Sequence, residues 1–589
     1  MYISELKLWN FRKYGKTEWN LENPHLVVPF KDGINVLIGE NDSGKTAIID
    51  AIKLVLKTHA FEWIKVEDED FYETSNEKSN KLRIEILFDD IKGEEAKNFT
   101  EWLGWNGEGV NAKPILRLIL QAERKNDKIL PYDVRAGMDG VGHQLNAEAR
   151  EYLKATYLRA LRDADSELVA KKNSRLSQIL QGHELFKEKD GEEHKFVKWF
   201  NKVNENIKTW FNDDTGGENG SSSNKKQIKD IVDAFLHDFI GDSISSDLKL
   251  AEPEIKAILE KISLETTGNN LGLGTMNRLY MAIELLHLRK DWDGLKLGLI
   301  EELEAHLHPQ AQMKVITALQ KEKVQFILST HSPNLASKVD LGNIIICNGN
   351  NVFPLANGMT KLEPKNYKYL KRFLDVTKSN LFFAKGVIIV EGWAEEILIP
   401  ALAEKLGCDL AKHEVSIVNV GSTAYLHFAK IFLRNDGKMI NIPVSVVTDL
   451  DVRPEQGIFN TQEETKAKTA IQTDFNDFNG TPVQLYIAKR WTLEWCLFKS
   501  TLSNIFRESV AEIHSETNQF KKDENGIFKT EFETILIEKL AKSKGTSALD
   551  KVAVANVLAE KILKPETQIS QSDEYIKYLI DAIKHACRQ

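Results

Sequence analysis

"INVLIGENDSGKTAIIDAIKLVL", residues 34–56, changes its period halfway along. The opening residues form an apolar run of the kind that fills a buried parallel strand, and the second half spaces its apolar residues as one face of a helix. Between them, Gly39-Glu40-Asn41-Asp42-Ser43-Gly44-Lys45-Thr46 fits G-x-x-x-x-G-K-[ST]. Glycines at these positions let backbone N–H groups close around phosphates. Lys45 adds a cation at the β- and γ-phosphates, Thr46 offers a hydroxyl to Mg2+, and the helix N-terminus favours an anion. Gly39, Asn41, Ser43, Gly44, Lys45 and Thr46 are therefore candidate nucleotide-binding residues, with ATP and Mg2+ as the implied ligands.

Three further stretches extend this reading. "LKLGLIEELEAHLHP" (295–309) is a hydrophobic strand ending in Glu301 and Glu302. The first acid suits the Mg2+ shell and the second suits polarisation of an attacking water. "VQFILSTHSP" (324–333) gives another strand with His331 at its tip, a candidate γ-phosphate contact, although a lone histidine is more often structural. "NNLGLGTMNRLYMAIELL" (269–286) opens a helix with Gly272 and Gly274, which would bring backbone N–H groups to a second phosphate cluster. A lone G-x-G is also an ordinary helix cap. The order of the pieces is more specific than any one of them: phosphate loop, long insertion, G-x-G helix, acidic strand, histidine strand. It resembles the ATP-binding-cassette ATPases of the SMC-like group, whose heads sandwich ATP between two protomers. That resemblance implies a dimer, with the helical block between the halves as an insertion.

A second constellation begins at "VIIVEGWAEEILIP" (387–400), an apolar strand ending in Glu391, Glu395 and Glu396. "NVGS" (419–422), with Ser422, ends another strand, and Asp449 and Asp451 end a third in "PVSVVTDLDV". Acids at the carboxyl ends of strands in an open α/β sheet share one crevice. Oxygen ligands without histidine or thiolate suit Mg2+ or Mn2+. Strand-E-G, strand-G-S, strand-D-x-D resembles the TOPRIM domain of topoisomerases, primases and related nucleases. Glu395 and "TLEWCL", carrying Glu494, resemble the OLD (overcoming lysogenization defect) family of endonucleases, in which an ATPase precedes TOPRIM in one chain. By that resemblance Glu391, Glu395, Asp449, Asp451 and Glu494 hold two divalent ions for phosphodiester cleavage, and a lysine acts on the scissile phosphate. "KVAVANVLAE" supplies Lys551 for that role, with Lys544 in "KSKGTS" as its competitor. Glu396 reads as an exposed helix neighbour. The OLD pattern usually carries proline where this chain has Leu303.

Bulk properties fit this picture. With 589 residues the chain exceeds one hydrophobic core. A 42% hydrophobic composition with no apolar run of about 18 residues argues against a membrane span. Cys347, Cys408, Cys496 and Cys587 lie far apart, which suits reduced thiols in a cytoplasm. A net charge of −9 leaves any nucleic-acid contact to local sites, and "YKYLKRF" (367–373) is one basic, aromatic stretch that could touch a DNA backbone or simply face solvent. The expected fold is α/β: an ABC-type ATPase head with a helical insertion, followed by a Rossmann-like parallel TOPRIM sheet with helical additions. The expected divisions are 1–144 for the first ATPase lobe, 145–258 for a helical, dimerising insertion, 259–375 for the second lobe and linker, and 376–589 for TOPRIM. The function implied is an ATP-binding, metal-dependent DNA endonuclease of antiphage defence, acting as a homodimer or tetramer. It would act alone, beside a helicase-like partner, or with a reverse transcriptase and its DNA–RNA product in a retron. The alternative is an ATPase switch or scaffold with weak or no nuclease activity. A topoisomerase would need an active-site tyrosine module, and none is visible.

Overall fold

The structure is a computed structural model that describes all residues except 17, 60–63, 76, 160–169, 173, 182–183, 187–192, 213–225, 227, 235–253, 265–272, 289–293, 456 and 543–547. Residues 34–56 form the strand Ile34–Ile38 and the helix Lys45–Leu56, as their period requires. That strand lies inside a sheet ordered Thr156–Leu158, Leu297–Ile300, Gln325–Thr330, Ile34–Ile38, Ile344–Asn348 and Asn351–Pro354. All neighbours are parallel except the last two, which form a hairpin. An antiparallel sheet covers one side, in which Lys81–Asp89 pairs with both Tyr2–Trp9 and Lys113–Lys125. The pairing of the 82–90 and 114–124 stretches is the meander their alternation predicts.

The stretch expected to be helical from residue 145 departs at its start. After the short helix Ala147–Glu151, Thr156–Leu158 is an edge strand of the phosphate-loop sheet, beside Leu297–Ile300. Its β-branched and aromatic residues fit a pleated edge, and Thr156 and Leu158 are buried there. Helical spacing over 147–159 is a local pattern, and pairing with a strand some 140 residues on overrides it. Helices Arg175–Gln181, Lys195–Asn212 and Ile255–Leu259 follow. Most of the low-complexity loop 213–226 lies outside the described residues.

A second sheet, entirely parallel, is ordered Val415–Asn419, Gly386–Val390, Val444–Thr448, Val483–Ile487. The alternation of side chains along each strand divides the molecule into layers. Leu37, Leu299, Ile327 and Ile345 face the antiparallel sheet. Val36, Phe326, Leu328 and Ile346 instead join a core shared with Val387, Ile389, Val444 and Val446 of the second sheet. Ile388, Val390 and Val447 pack on the far side against the C-terminal helices Lys551–Ile562 and Lys577–Ala586. The four cysteines are buried free thiols. Among the described residues no helix is long and apolar enough to cross a membrane.

Gly386 marks where the second sheet meets its last helix. A Cβ built there would lie 2.2 Å from the Ala586 carbonyl oxygen. Gly386→Ala should therefore destabilise the C-terminal half by about 1–3 kcal/mol, read as a lowered melting temperature with the far-ultraviolet spectrum unchanged at low temperature.

Candidate functional site

The phosphate loop occupies the turn between Ile34–Ile38 and Lys45–Leu56. Gly39 has φ 149° and Gly44 φ 97°, and Gly44 is the N-cap of the helix. A Cβ on Gly39 would lie 2.4 Å from the Cys347 carbonyl, and one on Gly44 2.0 Å from the Tyr14 hydroxyl, so both approach distances require glycine. Lys45 is buried, and its ammonium donates to the carbonyls of Gly39 (2.9 Å) and Glu40 (2.6 Å) and to Ser43 Oγ (3.2 Å). Burial pulls its pKa below the ordinary value, against the field of Glu304 and Glu302. Asn41 and Thr46 are exposed, and Ser43 is buried. The loop is thus folded around its own cation, which a phosphate could replace as partner of the carbonyl-bound Lys45.

The acidic strand end lies beside this loop, since Leu297–Ile300 and Ile34–Ile38 flank Gln325–Thr330. Glu301 accepts from the Tyr157 hydroxyl at 2.7 Å, and burial raises its pKa. Glu302 takes φ 43°, and its backbone N–H donates to Ser329 Oγ. Burial and then Lys45 push the His331 pKa down, which favours the neutral imidazole beside the loop. Gly274 lies near the start of Leu273–Leu288, where a Cβ would come within 2.8 Å of the His306 carbonyl. The loop after Glu302 therefore meets the G-x-G helix of its own chain. Gly272 lies outside the described residues.

One residue here escapes sequence reasoning. Glu304 accepts from Thr330 Oγ1 at 2.7 Å and from the His331 backbone N–H at 2.5 Å, and so fixes the turn that carries the histidine. No local signal separates it from its acidic neighbours. Only the parallel pairing of the two strands brings it to His331.

The second constellation gathers at the carboxyl ends of three adjacent strands. Glu391 directly follows Gly386–Val390, and its carboxylate accepts from the Thr448 hydroxyl. Asp449 follows Val444–Thr448. Asp451, exposed and at φ 56°, is pinned by its N–H to the Trp491 carbonyl at 2.9 Å. Glu494 is buried on the helix Leu493–Lys499, beyond Val483–Ile487. Lys551, the first residue of Lys551–Ile562, bridges to Glu494 at 2.9 Å. Lys544 lies outside the described residues.

Electrostatics shows how crowded these acids are. Glu395 is pushed up to about 7 by burial and then by Glu494, with Lys551 opposing. Asp449 is held well above its ordinary range by burial, Glu395 and Glu494. Glu391 and Asp451 are also raised, by burial first. The same acids raise the Lys551 pKa against burial. Tyr578 adds a buried phenol whose hydroxyl makes no hydrogen bond; its pKa is raised by burial and then by Cys496, Asp449 and the neighbouring glutamates. Thr448 and Tyr578 carry no sequence signal. Glu396, expected to be solvated, instead accepts from Asn419 Nδ2 at 2.8 Å, and Asn419 Oδ1 accepts from Gly421 N–H, so it braces the turn carrying Ser422.

The donor set fits hard divalent cations: several carboxylates whose ionisation is suppressed first by burial and then by one another, with no imidazole or thiolate among the assigned residues. Among the described residues no three such side chains already form a closed cage. The Lys551–Glu494 pair occupies part of the space, so metal ligation by Glu494 requires that pair to open.

Comparison with known proteins finds matches for both halves of the chain. The AAA ATPase domain family matches residues 1–261 and 94–336. The family described as Overcoming lysogenization defect protein-like, TOPRIM domain, matches residues 382–451. The chain is 24% identical over 479 residues to Endonuclease GajA of Bacillus cereus (strain VD045), covering 78% of this chain and 76% of that protein. It is 27% identical over 217 residues to the OLD nuclease of Thermus scotoductus, covering 35% of this chain and 40% of that one. It is 26% identical over 219 residues to the Retron Ec83 probable ATPase of Escherichia coli, covering 33% and 37%.

Raised carboxyl pKa values mean that the folded, metal-free protein binds protons more tightly than the unfolded chain. For Glu395 this stabilisation is complete below its ordinary value of 4.5 and is lost as pH rises through about 7. In EDTA the melting temperature should fall between pH 5 and pH 8, and Glu395→Gln should flatten that decline. Mn2+ should raise the melting temperature more at pH 8 than at pH 5.5.

Proposed function

The chain belongs to the AAA ATPase domain family and carries an OLD-like TOPRIM domain, and from that premise we propose that it is an ATP-regulated, divalent-metal-dependent endonuclease acting on DNA. The observation that carries this reading is the set of carboxylates at the ends of three adjacent parallel strands, with one lysine among them. Glu391, Glu395, Asp449, Asp451 and Glu494 would together hold the divalent ions. Mg2+ or Mn2+ bound there would supply Lewis acidity at the scissile phosphate and at the attacking water. Lys551, released from Glu494 when an ion binds there, would offset the negative charge gathering on that phosphate. Thr448 fixes the Glu391 rotamer, and the Glu396–Asn419 bond holds the Ser422 turn open to the crevice.

In the ATPase half, Gly39, Asn41, Ser43, Gly44, Lys45 and Thr46 bind the nucleotide phosphates and Mg2+, with Glu301 beside the ion. Glu302 orients water, His331 senses the γ-phosphate, and Gly272 and Gly274 serve the second phosphate cluster. The first ATPase lobe then runs past the expected boundary at 144 to Leu158, whose strand joins its sheet; the rest of 145–258 is the insertion, 259–375 the second lobe and linker, and 376–589 the nuclease unit. The insertion supports a homodimer: Trp199, Val203, Ile207 and Trp210 form an exposed apolar stripe along Lys195–Asn212. The names of the relatives, an endonuclease, a nuclease and a retron ATPase, support the nuclease reading; its extension to DNA cleavage in antiphage defence, alone, with a helicase-like protein or beside a retron, is part of the proposal. A switch without nuclease activity draws support from one observation, the Lys551–Glu494 pair that occupies part of the crevice.

Supercoiled plasmid with Mg2+ or Mn2+ separates the two readings. The wild type should nick or linearise it, and Glu391→Ala or Asp449→Ala should slow cleavage by roughly a hundredfold or more. Intact plasmid with the wild type, or undiminished cleavage by Glu391→Ala, overturns the nuclease reading. Lys45→Ala should abolish the response of cleavage to ATP while leaving Mn2+ binding unchanged by calorimetry.

A further inference from the structure

The helix Pro364–Phe373, between the two sheets in sequence, carries two stripes side by side. Lys365, Lys368 and Arg372 recur at helical spacing, all exposed, and Tyr369 and Phe373 run beside them. Phe373 stacks on Tyr369 with centroids 4.4 Å apart and planes 29° apart. Tyr369 in turn stacks on His427 at 4.1 Å and 13°. The three rings form a ladder whose outer rung, Phe373, is 49% exposed.

The inner rung is locked. Asn366 is buried, and its Oδ1 accepts from the Glu363 backbone N–H, which leaves its amide to donate to His427 Nδ1 at 2.8 Å. His427 therefore carries its proton on Nε2 and stacks as a neutral ring. It belongs to the helix Tyr425–Ala429, whose first residue lies beside the Thr448 side chain, the group that donates to Glu391. The ladder is thus tied to the acid crevice through a single turn of helix.

The charges around the ladder divide in two. Lys365 pairs with Glu363 at 2.7 Å and Lys371 with Asp340 at 2.6 Å. The side chains of Lys368, Arg372 and Lys430 make no ion pair or hydrogen bond among the described residues. Packing explains Tyr369, which lies against Phe428. It does not explain an exposed aromatic ring continuing the stack, beside uncompensated cations.

We propose that this ladder and its basic edge form the DNA-holding surface of the nuclease, with Phe373 stacking on an unpaired base of the substrate strand and Lys368, Arg372 and Lys430 contacting its phosphates. The inference rests on the nuclease reading of the acid crevice. Ring-on-base stacking tolerates any sequence, and cations track the backbone, so the surface selects single-stranded or frayed DNA over an intact duplex. It would feed that strand to the crevice that Thr448 borders.

The test is metal-free fluorescence anisotropy on the full chain, with labelled single-stranded DNA, blunt duplex DNA and single-stranded RNA. Phe373→Ala and Phe373→Leu should each weaken single-stranded DNA binding about tenfold, while Phe373→Trp restores it and duplex binding changes less than about twofold. Lys368→Glu with Arg372→Glu should weaken both DNA forms and lower the slope of log affinity against log salt by about 1 to 2. Phe373→Leu binding as the wild type does, or a loss confined to RNA, overturns the proposal. Plasmid cleavage by the wild type and by Glu391→Ala is scored in parallel. Metal-dependent cleavage with unaltered binding by the Phe373 variants overturns the ladder alone, whereas cleavage surviving Glu391→Ala overturns the nuclease reading whatever the binding shows.

Discussion

Five carboxylates crowded at one end of a parallel sheet do not all ionise there readily without a cation. The structure meets this constraint in three ways: Glu395 and Asp449 tend to keep their protons, Thr448 donates to Glu391, and Lys551 is drawn in. The position of Lys551 is telling. It is the first residue of its helix, where the macrodipole disfavours a cation, and only a local excess of negative charge offsets that. Asp550 caps the same helix by accepting from Ala553 N–H, and the helix packs along Trp393–Lys405, which carries Glu395. The C-terminal helices thus deliver one ammonium to one acidic crevice.

The phosphate loop answers the same problem with opposite sign. Lys45 is a buried cation without a carboxylate in direct contact, and it is kept in place by loop carbonyls and Ser43 Oγ. Such neutral acceptors solvate an ammonium less well than an anion does, so the loop is poised to exchange them for phosphate oxygens. Both sites lie where parallel strands end. There the backbone leaves the sheet and side chains from non-adjacent segments can meet.

Much of this was legible in the sequence because the signals were local. Residues 34–56 change period within one turn, and the E-G and D-x-D strand ends announce themselves by position. Long-range partners were not legible. Glu304 reaches Thr330 and His331 only through strand pairing, and Glu396 finds Asn419 only because two strands are neighbours. Thr156–Leu158 looked helical because its partner strand lies far along the chain. Tyr578 is an ordinary residue of an amphipathic helix until the fold points it toward the acids. Spacing in sequence reports faces of elements, and it cannot report which faces meet.

Two routes join the phosphate loop to the acid crevice, and their magnitudes differ. Lys385, just before the strand that ends at Glu391, lies 3.8 Å from Glu40 of the phosphate loop and 2.7 Å from Glu414, beside a cavity of about 590 Å³ that separates the two halves. Lys385 is about half exposed, and a pair so solvated is screened by water and contributes little. The second route is the core in which Val36 and Phe326 of one sheet share neighbours with Ile389 and Val446 of the other. Close-packed interiors shift between discrete arrangements and do not yield gradually. Packed side chains thus connect the layer that holds Ile34–Ile38 to the layer that holds Gly386–Val390. The solvated ion pair is the weaker link between the two halves, and the shared core is the stronger.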